Sequence, residues 1–437
     1  MVSRARNDGL TSESGRLFGP KALAVDTGFV EPEFKGVERQ FLKIIKREPR
    51  GGGALCIYHN GRCVVDLQGG VRNAASEPWA ADTVVLSYST GKGVLATLLH
   101  ILVDQGALDY EDRVSDHWPD FAQNGKESIT VRHLLCHEAG LYRIGDLIDD
   151  AGEMLDWERM VNLLARSEPA HPPGADHGYH GLSYGWLIGE LAQCATGWPL
   201  DRLVCRYIAE PLGLNDFFFG LPPSEDSRRA DLVYGRVDPQ SVETSRLAMR
   251  LGLSGSSEAQ ASQSKDDLRA ALWPRGMEDF DLNSAVLSRA VMPSFNGMFT
   301  ARGLGRLYAA LAQGGVLEGV RLLSSSALER ATRIQNHGTG RVLPQPMNWR
   351  LGYHGIPSPS GGDESAFGHF GLGGSGALAD PRRNLSLAFV INTGITGSLV
   401  DSRMIRLMQS AFRSVDPMGR HAVELSARHL PELESTG

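Results

Sequence analysis

Residues 178–186 read GYHGLSYGW, and two incompatible chemistries can be read into them. Gly181-Leu182-Ser183-Tyr184-Gly185 is a literal G-x-S-x-G. Such a string presents a nucleophilic serine when it forms a sharp turn between a strand and a helix. Tyr179, just upstream, fits a different scheme, in which a phenol shares a proton with a serine held elsewhere in the chain. The flanking sequence separates the two. No strand-like run precedes Gly181, only HPPGADHGYH, and no HGGG-type oxyanion segment is evident. Ser183 therefore reads as the N-cap of a helix carrying Leu187 and Leu191, a decoy and not a nucleophile.

A serine with better prospects lies upstream, in Ser89-Thr90-Gly91-Lys92. Three residues apart at the start of a helix, Ser89 and Lys92 share a face. Burial and the positive end of the helix dipole both disfavour an ammonium there, so Lys92 is pushed toward its neutral form and becomes a base for Ser89. A strand-like run precedes the motif, and a helix apolar almost all round from Val94 to Val103 follows it. A phosphate-loop reading fails, because Leu86 stands where the first glycine belongs and Gly93 replaces the magnesium-binding Ser/Thr. Tyr179 follows the rigid turn Pro172-Pro173-Gly174, and near a cation it serves as phenolate or as proton relay. His369-Phe370-Gly371 lies in the glycine-rich FGHFGLGGSG. There a substrate can approach the backbone and its N–H groups can hold an oxyanion. Taken singly, the bland readings would prevail: a chance Ser and Lys, a packed tyrosine, and a glycine turn with one histidine.

In this order the three motifs resemble those of the β-lactamase-fold serine hydrolases, above all the family VIII carboxylesterases, relatives of class C β-lactamases and penicillin-binding proteins. The likeness runs over roughly residues 30 to 415. It includes TVRHLLCHEAGL, PPGADHGYHGLSYGWLIGELAQCATG, YIAEPLGLNDFFFG, MFTARGLGRLYAALAQGGVLEGVRLLS and FGHFGLGGSGALADP. The resemblance implies that Ser89 is acylated, that Lys92 is its base partner, and that Tyr179 shares proton transfer and activates the deacylating water. It implies an oxyanion hole made of the Ser89 and Leu372 backbone N–H groups. His369 and Gly371 then match the lysine and second glycine of the K-T-G element and bind substrate. Two departures stand out. The Asn of the tyrosine motif Y-x-N, which helps hold a substrate's side-chain amide, is Gly181 here. The K-T-G lysine, suited to a substrate carboxylate, is His369, a weaker and pH-dependent cation. Compact esters without a carboxylate are therefore expected to outrank β-lactams.

The expected fold is α+β: a β-lactamase-like antiparallel sheet built from both termini, flanked by helices, with a mostly helical lobe. Residues 1–30 read as an extension and 31–415 as one catalytic domain. Its α/β lobe spans about 31–110 and 290–415, and its helical, loop-rich lobe about 111–289. Residues 416–437 read as a charged tail. A helix is expected near 33–47, a hairpin about Asn60-Gly61, and a helix from VRHLLCHEAG capped by Thr130 and stopped by Gly140. WRLGYHG reads as strand-like, and 221–290, including SGSSEAQASQSKDD, as loop-rich.

Lys plus Arg is 44 and Asp plus Glu is 51, giving a net charge of −7, which argues against a nucleic-acid partner. The basic run Lys43, Lys46, Arg47, Arg50 reads as the wet face of an amphipathic helix. Five cysteines at no metal or paired spacing read as reduced thiols. His171, His177 and His180 read as loop histidines, and no metal or cofactor is expected. With no long apolar run and no apolar leader, a cytoplasmic protein without a membrane span is expected. The oligomeric state is left open. The expected activity is a carboxylesterase acting on a small-molecule ester through an acyl-enzyme. The alternatives are an acyltransferase using the same site, a D-aminopeptidase or weak β-lactamase, and a non-catalytic binding homologue.

Overall fold

The computed structural model describes residues 28–234, 258–343, 345–357, 365–394 and 401–416. The expected N-terminal extension (up to 27), the C-terminal tail (from 417) and part of the 221–290 stretch (235–257) lie outside the described residues.

The hairpin signal forms as expected. Strands β2 (Gly52–His59) and β3 (Arg62–Gly70) meet at Asn60 and Gly61, whose φ values are +51° and +73°. A two-residue turn matching the strand twist needs both central residues in that region, which is why Asn-Gly stands there. β1 (Phe29–Val30) pairs with β3. After five short strands in two smaller sheets, β4 (Val85–Leu86), β5 (Phe217–Phe218), β6 (Met298–Phe299), β7 (Val316–Leu317) and β8 (Val320–Arg321), the other half of the sheet comes from the C-terminal part of the chain: β9 (His354–Gly355), β10 (Phe367–Phe370), β11 (Gly376–Asp380) and β12 (Leu385–Ile391). The seven strands run β1-β3-β2-β12-β11-β10-β9, every pair antiparallel, so the two ends of the chain meet where β2 pairs with β12. WRLGYHG was expected as strand, yet of its residues only His354 and Gly355 are strand; Trp349 is 2% exposed and packs as core.

Alternation sorts the side chains between the two faces of this sheet. Leu55 and Ile57 of β2 and Leu387 and Phe389 of β12 face helices α1 (Lys35–Arg47) and, at the C-terminal end, Ser402–Val415. There Phe41 meets Phe389 edge-on at 6.5 Å. The opposite face carries small residues, Ala54, Cys56, Ser386 and Ala388. A helix can therefore lie very close, and Ala301–Ala312 does. A Cβ on its Gly305 would sit 3.0 Å from the Cys56 sulfur, and the Gly305 carbonyl accepts from Ser386 Oγ at 2.9 Å.

Beyond that layer lies α2 (Thr90–Asp104), the helix expected to be buried all round. Every residue from Thr90 to Val103 is buried. Its C-terminus closes with Gly106 at φ +75°, Gly106 N–H donating to Val103 and Ala107 N–H to Leu102, which satisfies carbonyls the helix leaves free. The segment 111–215 is built of short helical pieces and two longer helices, Trp157–Arg166 and Tyr184–Thr196.

Two expectations need correction. Thr130 does cap α3 (Val131–Leu135), accepting from His133 N–H at 3.3 Å, but the helix ends at Leu135 rather than at Gly140. His137, at φ +62°, breaks it early and its ring is drawn into contact with His180 and Trp349. The polar stretch within 221–290 is not all loop: Glu258–Leu272 is helical. Its serines and glutamines give no apolar stripe, and tertiary contacts hold it. Asp267, 2% exposed, binds Arg143 at 2.5 Å, and Ala270 packs directly on the backbone at Gly145.

Candidate active site

Ser89 sits at the N-terminus of α2, reached through a small sheet of Val85–Leu86, Met298–Phe299 and Phe217–Phe218. The turn is fixed by Ser87, whose N–H donates to Gly297 and whose hydroxyl donates to Val85. Tyr88 takes φ +48°, a costly conformation for a tyrosine and one that clusters at functional turns. Its ring packs edge-on against Phe295 at 5.4 Å.

Lys92 lies one turn into α2 and is fully buried. Its Nζ is 2.7 Å from the Gly181 carbonyl, 3.1 Å from that of Ser294 and 2.9 Å from Ser89 Oγ. Among the described residues no carboxylate pairs with it, and burial drives its pKa well below 10.5. A neutral amine that donates to two carbonyls keeps one lone pair. Ser89 stands where that lone pair would accept its proton.

Tyr179 arrives from the loop that follows the Pro172-Pro173-Gly174 turn. Gly174 N–H donates to Glu138 and Gly178 N–H to His137, which clamps this loop onto residues 136–140. The phenol donates to Ser89 Oγ at 2.8 Å, and its ring lies 5.0 Å from Lys92 Nζ. Burial raises the Tyr179 pKa, with the Ser89 contact opposing, so the resting group is a phenol rather than a phenolate. Of the two roles the sequence left open, proton relay is the one this ionisation state fits. Trp349 stacks on Tyr179 at 5.4 Å with only 10° between the rings.

His369 lies on β10 with its Cβ close to Gly93 of α2. It was expected as a pH-dependent cation, and the structure corrects this. The ring is 2% exposed, and burial, then His354 and Lys92, hold its pKa well below 6.5. Nδ1 donates to the Phe370 carbonyl at 3.1 Å, which leaves Nε2 as a neutral acceptor. The three histidines expected in a loop do lie in one, between the helices that end at Arg166 and begin at Tyr184. His171, His177 and His180 are all at least nine-tenths buried, and His180 Nε2 accepts from Leu141 N–H. Among the described residues no group of His, Cys, Asp and Glu is arranged to hold a metal ion.

Gly371 follows β10 directly under the Ser87–Ser89 turn, where a Cβ would meet the Ser87 carbonyl at 2.3 Å. Neither Ser89 N–H nor Leu372 N–H donates to an acceptor among the described residues. The Leu372 turn is braced from below by Arg403, which donates to the Gly373 and Thr393 carbonyls at 2.9 Å each and pairs with Asp401. Gly371→Ala should therefore push β10 off the Ser87–Ser89 turn. A displacement near 1 Å at a reacting group costs on the order of 10²-fold, so kcat is expected to drop by about that much, measured on a chromogenic ester. Unchanged kcat would mean that this glycine does not set the spacing.

Ser183 is fully buried at the start of Tyr184–Thr196, and no strand leads into it. Its φ and ψ, −63° and −28°, are ordinary helix values rather than those of a strained elbow. The expected side-chain cap is absent: its hydroxyl has no hydrogen-bond partner among the described residues. Among the described residues no base contacts that hydroxyl.

The sequence reading missed Trp349, His137, Tyr142 and Leu272, which surround Tyr179 or Gly181. Of these, Trp349 lies in a stretch with a signal of its own, the strand-like WRLGYHG.

Known proteins resemble the chain in sequence and in fold. The family model described as "Beta-lactamase" matches residues 34–407. The chain is 34% identical over 380 residues to the esterase/beta-lactamase LipL of Mycobacterium tuberculosis (strain ATCC 25618 / H37Rv), covering 86% of this chain and 84% of that protein. Among solved structures it is similar to a family VIII carboxylesterase, at 32% identity and TM-score 0.76, with 89% of this chain and 99% of that one covered. It is also similar to a penicillin-binding protein homologue from Caulobacter crescentus, at 35% identity, TM-score 0.76 and the same coverage. The chain, a serine hydrolase by these relatives, belongs to the beta-lactamase family.

Proposed function

We propose that the protein is a carboxylesterase that works through an acyl-enzyme on Ser89. The observation that carries this reading is the pair of contacts on one serine oxygen: Lys92 Nζ at 2.9 Å and Tyr179 OH at 2.8 Å. Ser89 passes its proton to Lys92 as Oγ attacks the ester carbonyl, and a C–O bond forms. The carbonyl oxygen takes the negative charge and rests against the N–H groups of Ser89 and Leu372. Collapse breaks the bond to the alcohol oxygen, which receives a proton by way of Tyr179 and leaves. Water, deprotonated through the same pair, then attacks the acyl carbon and releases the acid. Residues 31–415 act as one catalytic domain in this reading.

The neutral His369 and the absent side chain at 181 favour a small ester over a carboxylate-bearing β-lactam or peptide. A short-chain chromogenic ester, a D-Ala peptide and a chromogenic cephalosporin should be turned over in that descending order. A phosphonate probe should add its mass once, on the peptide containing Ser89. Faster cephalosporin than ester hydrolysis would reverse the substrate reading. Faster turnover once an alcohol acceptor is supplied would make the protein an acyltransferase.

A further inference from the structure

The space beside Gly181 is already taken, by a residue far away in sequence. A Cβ built on Gly181 would fall 2.0 Å from Leu272 Cδ2 and 3.2 Å from its Cγ. Gly181 is no remote position, since its carbonyl accepts from Lys92 Nζ. Leu272 therefore adjoins the residue whose carbonyl holds Lys92, the partner of Ser89. It is half-buried against the cluster of Tyr142, Tyr179 and Trp349, so part of its surface remains open to an incoming molecule.

Leu272 is also held firmly. It ends the helix Glu258–Leu272, and just before it Asp267 and Asp266 both bind Arg143, at 2.5 and 2.9 Å. Just after it, the Arg275 carbonyl accepts from Ala151 N–H at 2.7 Å. Pinned on both sides, the side chain acts as a wall and not as a swinging lid. Its surface is hydrocarbon, without donor or acceptor, and so offers nothing to an amide or a carboxylate.

We propose that Leu272 is a specificity-determining residue: by filling the volume over Gly181 it restricts the substrate branch passing that point to a slim, apolar group. This deepens the esterase reading above and rests on it. Polar branches would lose their water against Leu272 without gaining a partner. Bulky branches would collide with a side chain whose backbone is held on both sides.

The test combines a substrate series with a mutant cycle. Wild type and Leu272→Ala are assayed on two sets of chromogenic esters, one varying the acyl group and one varying the alcohol. In one set, Leu272→Ala should raise kcat/KM for branched relative to straight groups by about tenfold or more, the usual worth of a methylene or two in a fitted pocket. Unchanged ratios in both sets would overturn the proposal. Gly181→Ala, Leu272→Ala and the double variant are then compared in kcat/KM and thermal midpoint. Gly181→Ala should be impaired, and adding Leu272→Ala should restore much of the loss. If Gly181→Ala proves too unstable to assay, recovery of the thermal midpoint in the double variant is the reading. A double variant no better than Gly181→Ala overturns the proposed contact. Failure of the esterase reading looks different: the wild type would turn over neither ester set, whereas the stability coupling between 181 and 272 would persist.

Discussion

Ser89→Ala is expected to lower ester turnover by on the order of 10⁵-fold, because the group that forms the covalent intermediate is gone and only binding and oxyanion stabilisation remain. Loss of the phosphonate label should accompany it. Ser183→Ala should stay within a few-fold of the wild type, since its hydroxyl touches no base and its backbone is plain helix. The fold should survive the first change. Lys92 keeps the Gly181 and Ser294 carbonyls when Ser89 Oγ is removed, and Tyr179 keeps its stack on Trp349. Intact mass and the melting curve of each variant separate a chemical effect from misfolding. Full activity and labelling in Ser89→Ala would end the acyl-enzyme assignment, and loss in Ser183→Ala instead would move the nucleophile to the G-x-S-x-G.

Lys92→Met should lower turnover by about 10³- to 10⁴-fold, the upper range for removing a positioned base. Its pH dependence is the sharper reading. Burial lowers the Lys92 pKa well below 10.5, and the mechanism needs the neutral amine. The wild-type rate should therefore fall as pH drops through that lowered value. Tyr179 is pushed up by burial, so it should not supply this limb. The residual rate of Lys92→Met should lack it.

Stability moves with the same proton. Between the lowered native value and 10.5 the unfolded lysine binds a proton that the folded one does not, so stability rises with pH across that window. Methionine contributes no such slope. The difference in melting temperature, wild type minus Lys92→Met, should thus shift in favour of the wild type as the buffer is made more alkaline. A difference independent of pH, together with retained activity, would show that Lys92 is ionised and structural.

The sequence by itself determined the hairpin, the buried helix and the candidate reacting residues. Asn60-Gly61 between two β-rich runs demands a hairpin, because only a turn with two positive φ values fits the strand twist. Val94–Val103, apolar almost all round, demands a buried helix, and S-x-x-K at its first turn puts Ser89 and Lys92 on one face. These are local consequences of spacing and residue type. Reading the Ser-Lys, Tyr and His-x-Gly motifs together also brought Tyr179 and His369 toward Ser89, and in the structure Tyr179 does reach its hydroxyl.

The tertiary structure alone decided the ionisation of His369 and the shape of the site. His369 is an ordinary histidine on paper. Burial between Gly93 and the rings of Tyr179 and Trp349 makes it neutral, since a charge there would lose its water without a partner. Glu258–Leu272 carries no stripe that announces a helix, and it is held by Arg143, more than a hundred residues away in the chain. Leu272 and Trp349 matter because of what they touch, and those contacts join segments that sequence spacing cannot connect. Residue identity fixes which groups can react; only long-range packing fixes the dielectric around them and the volume left for a substrate.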